Sequence, residues 1–225
     1  MATAWEIREA NQVVVGILHV DSTTLAWSFG LRNLIIPGRE ELRRFNPFMP
    51  VSGMPFSHAR NTVVQHAMQV GASHVFFLDS DVIPPRDAIL RLLVHNEPFI
   101  SGVYFRRSPP NSVPVMIKNG QWITNYQRGR IVEVDLVGAG CLLLRRDMLE
   151  KLPPQRPGEP WFDWRVNQRG ILPEGECLSE DFTLCQHARR HGYKVLVDTS
   201  IVCQHVGFAS FGDQTVAPMQ TSVAT

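Results

Sequence analysis

The order of apolar segments predicts an α/β fold: a mixed, mainly parallel sheet flanked by helices, with a small antiparallel insertion. Three observations carry this expectation. Residues 13–18 and 75–78 are short, uninterrupted apolar runs, the pattern of strands buried on both faces. Between them, residues 57–70 place Ala59, Val63, Val64, Ala67 and Met68 at helical spacing, with Gly71 as the stop. Beyond residue 95 the alternation of strand and helix breaks into shorter strand-like pieces around Asn119-Gly120 and Arg128-Gly129, which read as hairpin turns.

Taken in order, residues 13–18 form a central first strand and 23–34 a helix, with a break at Ile36-Pro37-Gly38. Residues 38–55 form a loop with at most a short strand near 48–51. The strand at 74–78 ends on Asp79-Ser80-Asp81. Pro84-Pro85 opens a short helix that buries Ile89, Leu92 and Leu93. Strands follow at 99–105, 113–117, 121–126, 131–137 and 141–144, and a helix over 145–152 is terminated by Pro153-Pro154. Residues 153–178, rich in proline, glycine, tryptophan and charge, predict a long loop able to act as a lid. Ser179 caps a helix over 180–191, Gly192 stops it, and 193–197 returns as a strand. One catalytic domain is expected over 1–207. A tail over 208–225 follows, with Phe208 and Phe211 as anchors.

With 225 residues, 44% of them hydrophobic, the chain can bury one substantial core. Lys and Arg number 22 against 21 Asp and Glu, so the net charge of +1 gives no basis for a nucleic-acid surface. Cys141, Cys177, Cys185 and Cys203 form no Cys-x-x-Cys pair, and reduced core cysteines are expected. No apolar run reaches the length of a membrane span, and a cytoplasmic location is the expectation.

Asp79 and Asp81 stand one residue apart at the carboxyl end of a buried strand, the edge where open α/β sheets bind ligands. Two bare carboxylates repel, and a hard divalent cation resolves the repulsion while keeping positions for water and phosphate oxygens. The other reading is a turn cap at Asp79 and a solvated Asp81. Arg60 sits near the start of its helix, an unfavourable place for a cation, which suggests pairing with phosphate or with these aspartates. Asp21, at the end of the first strand, is a candidate for base or ribose contact, otherwise a turn cap. Trp161, Phe162 and Trp164 offer either a face for a sugar ring or a means of docking the loop, and Asp163 lies among them. Arg106-Arg107 and Arg145-Arg146 read as surface pairs, the first able to face a phosphate.

Ala59-Arg60-Asn61, Phe76-Phe77-Leu78-Asp79-Ser80-Asp81, Gly138-Ala139-Gly140, Glu180-Asp181 and a late His205 occur in one order. That order resembles the nucleotide-sugar-dependent glycosyltransferases of the GT-A fold, particularly the inverting family 2, over about residues 12–207. The resemblance implies that the Asp-x-Asp segment holds Mn²⁺ or Mg²⁺ against the diphosphate of a UDP- or GDP-type sugar donor. Asp81 would be the surer direct ligand, Asp79 a ligand or a contact to ribose or a metal-bound water, and His205 a completing ligand. It also makes Asp181 the general base for an acceptor hydroxyl. The first strand departs from the family pattern, running into His19-Val20-Asp21-Ser22-Thr23-Thr24 in place of Pro-Thr/Ser-Tyr-Asn. A metal-dependent nucleotidyltransferase and a non-catalytic nucleotide- or sugar-binding domain are the alternatives.

Overall fold

The computed structural model describes residues 12–18, 23–37, 46–107, 112–158, 160–164 and 178–207. Strand β1 (Val13–Leu18) is buried along its whole length. Helix α1 (Leu25–Asn33) starts where the Thr24 hydroxyl accepts the Trp27 N–H at 3.1 Å. Strand β2 (Phe48–Val51), helix α2 (Phe56–Gln69) and strand β3 (His74–Asp79) follow, then β4 (Val82–Ile83), α3 (Ala88–Val94) and β5 (Phe99–Val103). The middle of the chain supplies β6 (Met116–Lys118), β7 (Gln121–Trp122), β8 (Ile131–Val134), β9 (Leu136–Val137), β10 (Cys141–Arg145) and α4 (Arg146–Lys151). Helix α5 (Glu180–Arg190) and strands β11 (Val195–Val202) and β12 (Gln204–His205) complete the described elements.

Seven strands form the main sheet in the order β2-β1-β3-β10-β5-β11-β8. β1 is parallel to β2 and β3, and β5 is parallel to β11, whereas β10 runs antiparallel between β3 and β5 and β8 antiparallel at the edge. The apolar runs are explained by burial on both faces. Val14, Val75 and Phe77 join the core formed with α2, α4 and α5, while Val13, Val15, Ile17, Phe76 and Leu78 join the core formed with α1 and α3. Gly16 lets α2 approach, because a Cβ there would lie 2.5 Å from Val63 Cγ1. Among the described residues no helix is long and apolar enough to cross a membrane.

The antiparallel element lies deeper than the sequence suggests, since β10 occupies the middle of the sheet. The expected 113–137 insertion is a separate three-stranded sheet, β7-β6-β9, plus the edge strand β8. Asn119 and Gly120, with φ of 50° and 71°, close the tight β6/β7 hairpin, in which Lys118 pairs with Gln121. Gly129 also has positive φ, but the strands on either side of Arg128-Gly129 pair elsewhere, β7 with β6 and β8 with β11, so it is a turn and no hairpin. The expected 131–137 strand breaks into β8 and β9 because its halves belong to different sheets.

His74 opens β3 at the end of the sheet remote from Asp79, 5% exposed, with Nδ1 3.0 Å from Ser73 Oγ. Burial, reinforced by the Arg145 charge, lowers its pKa from 6.5 to about 4. The unfolded chain therefore takes up this proton before the folded chain does. Its contribution to stability is complete above the unfolded pKa of 6.5 and is lost as pH falls toward about 4. Urea denaturation of wild type and His74→Gln from pH 7.5 to 4.5 should show a shallower acid loss in the variant, by on the order of 2–3 kcal/mol. Parallel pH profiles would refute the assignment.

Candidate active site

The strand ends that carry Leu18 and Asp79, the residue after β5, the start of α5 and the end of β12 meet around a cavity of about 940 Å³. Asp79, Asp81, Arg60, Asp181 and His205 all line it, so the structure brings together five of the six site residues expected from sequence. Asp21 lies outside the described residues, as do Cys177, Phe208 and Phe211. Cys141, Cys185 and Cys203 are free and buried.

Asp79 is fixed from both ends. Its carbonyl accepts the Trp27 indole N–H at 2.9 Å, and Oδ1 accepts Arg60 Nη2–H at 3.1 Å. Arg60, 4% exposed, also donates through Nε to Glu180 Oε1 at 3.1 Å, with its guanidinium 5.2 Å from the Phe77 ring centroid. Burial alone would lower the Arg60 pKa, but the carboxylates of Asp79, Glu180 and Asp181 hold it above its ordinary value. Its Nη1 has no hydrogen-bond partner among the described residues. Burial raises the Asp79 pKa, Arg60 opposing and Asp81 adding to the rise. Burial and then Asp181 push Glu180 up to about 7, again against Arg60. The helix-start arginine expected to seek an anion thus holds two carboxylates.

Asp81 faces a different set. The short β12/β4 ribbon pairs His205 with Val82 and bonds Val206 N–H to the Asp81 carbonyl at 2.7 Å. His205 Nε2 consequently stands 3.2 Å from Asp81 Oδ2, and Arg107 Nη1 lies at the same distance from that oxygen. Burial pushes the Asp81 pKa up, but the His205 hydrogen bond and the nearby positive charges outweigh it and leave the pKa below the ordinary value. The other imidazole nitrogen, Nδ1, is 2.6 Å from the Phe105 carbonyl, which only accepts, so Nδ1 carries a hydrogen. Nε2 then either bears a second hydrogen toward Asp81 or presents a lone pair. An outer carbonyl that fixes the tautomer is the usual support of a metal-ligating histidine. Among the described residues no cluster of three or more His, Cys, Asp or Glu has metal-binding geometry, and Asp79 is turned to Arg60.

Asp181 Oδ2 accepts the Ala139 N–H at 3.2 Å, and Oδ1 accepts the Phe182 N–H at 2.8 Å and the Ser179 hydroxyl. Ser179 stands at the N-cap position, yet it makes no side-chain cap bond to the helix. Its hydroxyl is drawn to Asp181, which corrects the expected capping role. Three donors use three of about four acceptor positions on the carboxylate, orienting it with one left for a ligand.

The small-residue segment before β10 also has a spatial cause. A Cβ at Gly138 would lie 1.8 Å from the Tyr104 hydroxyl oxygen, and one at Gly140 would lie 3.1 Å from Asp79 Oδ2. Asn61 pins the loop: its Nδ2 donates to the Phe162 carbonyl at 2.8 Å, and its Oδ1 accepts the Trp161 and Phe162 N–H groups at 3.1 Å. The three aromatic residues divide accordingly. Trp161 bonds Leu149 O, Phe162 is fully buried against Phe77, and Trp164, 47% exposed, lines the cavity. Asp163 pairs with Arg156 at 2.7 Å. Of the basic pairs, Arg107 reaches the site, while Arg145 and Arg146 bond Asp147 and Glu150. Tyr104, Trp27 and the Arg60–Glu180 pair were not legible in advance. The one available signal for Tyr104 is its place directly after an apolar strand.

No protein family and no curated protein matches the sequence. Solved structures do match. Protein A197 from STIV superposes with a TM-score of 0.61 at 14% identity, covering 89% of this chain and 90% of that one. GalNAc-T7, whose structure holds UDP, GalNAc and Mn²⁺, superposes with a TM-score of 0.56 at 9% identity, covering 88% of this chain and 44% of its own. At such identities the likeness bears on architecture alone, and with the mixed sheet and its flanking helices it identifies the chain as having the GT-A fold.

Proposed function

We propose that the chain is a glycosyltransferase, moving a sugar from a nucleoside diphosphate donor of UDP or GDP type to an acceptor hydroxyl, with inversion. One observation carries the reading: the Asp81–His205 pair and the separately oriented Asp181 carboxylate line the same cavity. Asp81 Oδ2 and the Nε2 lone pair of a neutral His205 converge as an oxygen and a nitrogen donor, a set suited to Mn²⁺ and, less well, Mg²⁺. Such an ion, when bound, neutralises charge on the departing diphosphate. Arg107 adds positive charge beside Asp81. Arg60 keeps Asp79 at the site edge in one orientation, where it meets ribose or a metal-bound water. Asp181 accepts the proton of the acceptor hydroxyl as that oxygen attacks the sugar from the side opposite the leaving group. Trp164 offers an aromatic face at the cavity wall for a sugar ring.

Asp81→Asn tests the metal half. Loss of an outer partner costs a metal site 10- to 100-fold, so loss of a direct ligand should weaken Mn²⁺-dependent UDP or GDP binding by at least about 100-fold. Calorimetry on folded variant and wild type decides it, and equal affinities would remove Asp81 from the site. Product analysis addresses the reaction itself. A glycoside of inverted configuration with released nucleoside diphosphate is expected, whereas released pyrophosphate would mean nucleotidyl transfer.

A further inference from the structure

Tyr104 has no part in the mechanism above, although it is 7% exposed and lines the cavity. The chain makes room for it at two glycines. A Cβ at Gly138 would collide with its hydroxyl, and one at Gly140 would come within 3.0 Å of its Cζ. Its backbone is held by the Val115 N–H, which donates to the Tyr104 carbonyl at 2.9 Å. Its ring stands edge-on to His205 with centroids 5.7 Å apart. Burial raises the Tyr104 pKa well above its ordinary value, and the charges of Asp181 and then Asp79 add to the rise. Among the described residues, the hydroxyl's own hydrogen has no acceptor.

A tyrosine hydroxyl this deep in a protein normally donates to something. The described residues supply no such partner, and the hydroxyl belongs to the lining of the cavity. Position says which part of a ligand is within reach. On one side Tyr104 touches His205, part of the pair assigned to the diphosphate end, and on the other it feels Asp181, assigned to the acceptor. Between a leaving oxygen and an attacking oxygen lies the group in transit. An uncharged O–H suits the uncharged oxygens of a sugar better than a diphosphate, whose charge calls for cations.

We propose that the Tyr104 hydroxyl donates a hydrogen bond to an oxygen of the sugar being transferred, making it a determinant of which sugar is accepted. The inference rests on the glycosyl-transfer reading. A site built to hydrogen-bond a substrate oxygen discriminates strongly against an analogue that lacks it.

The test uses the whole chain with Mg²⁺, which is diamagnetic, and with UDP, GDP, UDP-glucose, UDP-N-acetylgalactosamine and GDP-mannose as probes. The chain has three tyrosines, so protein labelled with ¹³C at tyrosine Cζ gives few signals, and Tyr104→Phe assigns the one of interest. A nucleotide sugar should shift the Tyr104 signal where its nucleoside diphosphate alone does not. Tyr104→Phe should keep the nucleoside diphosphate affinity and lose about tenfold in affinity for that nucleotide sugar, the size of one hydrogen bond. If UDP and GDP both fail to bind, the glycosyl-transfer reading falls and this inference with it. If a nucleoside diphosphate binds but no sugar moves the signal, or the phenylalanine variant binds the nucleotide sugar as wild type does, only the Tyr104 assignment is overturned. Should the variant not fold, the labelled wild type still decides through the comparison of sugar-bearing and sugar-free ligands.

Discussion

Asp181→Asn is expected to leave Mn²⁺-dependent nucleotide binding nearly intact while slowing sugar transfer by about 10²- to 10⁴-fold, the range for a positioned general base. Both Asp181 oxygens accept hydrogen bonds, Oδ2 from Ala139 N–H and Oδ1 from Phe182 N–H and Ser179. An asparagine must therefore turn its NH₂ group toward one of those donors. A stability loss of about 1 kcal/mol should accompany the change, and that loss alone is the outcome for an aspartate that merely orders the helix start. Calorimetry, a urea melt and single-turnover transfer on one preparation separate the two roles. Transfer within about threefold of wild type would remove Asp181 as the base. Glu180 would then be the next residue to test.

Arg60→Met should destabilise the fold by about 3–5 kcal/mol, because it leaves Asp79 and Glu180 without the cation that both of them face. The loss should depend on pH in a defined direction. Glu180 already titrates near 7 with the arginine present, burial being the main cause, and without it the carboxyl should hold its proton to still higher pH. An acid whose folded pKa is raised disfavours the folded state increasingly as pH rises from its unfolded value, 4.5, through the folded one. The variant should thus be least stable at pH 8 and recover part of the loss by pH 6. Adding Glu180→Gln to Arg60→Met should restore part of the stability at pH 8 by removing one stranded charge. A double variant no more stable than the single would show that Arg60 acts through its contacts with Phe77 and Phe162 instead.

The parts of this molecule that could be read in advance are those whose cause is local. β1, α2 and β3 are written in consecutive side chains, since burial on two faces demands continuous apolar runs and burial on one demands helical spacing. The direction of β10 was not legible, because it depends on Leu78, Phe77 and Ser101 as partners. The division of residues 131–137 between two sheets is of the same kind. At the site, Asp79, Asp81, Asp181 and His205 could be named from motif order, and the resemblance already set Asp81 and His205 apart from Asp79, but the contacts that make the division were not legible. That division follows from Arg60, which reaches Glu180 across 120 positions of sequence, and from the β12/β4 ribbon that turns His205 toward Asp81. Ser179 takes the expected N-cap position, but its hydroxyl bonds the carboxylate two residues on, which competes with the helix amides for it.

The reversed central strand also bears on how the molecule is made. A ribosome delivers β1, β2, β3 and β5 before it delivers β10, yet β10 is what joins β3 to β5. Until about residue 145 has emerged, the nascent chain can hold only the three strands β2-β1-β3, with the β3 edge still awaiting β10, and β5 has neither of its neighbours. Such edges invite pairing with other chains, so this stage is where synthesis is most exposed to aggregation and to holding chaperones. His205 arrives later still, after β11 has covered β5. An ion that required both Asp81 and His205, as the proposed metal would, could be captured only after residue 205 had been made and β12 had paired with β4.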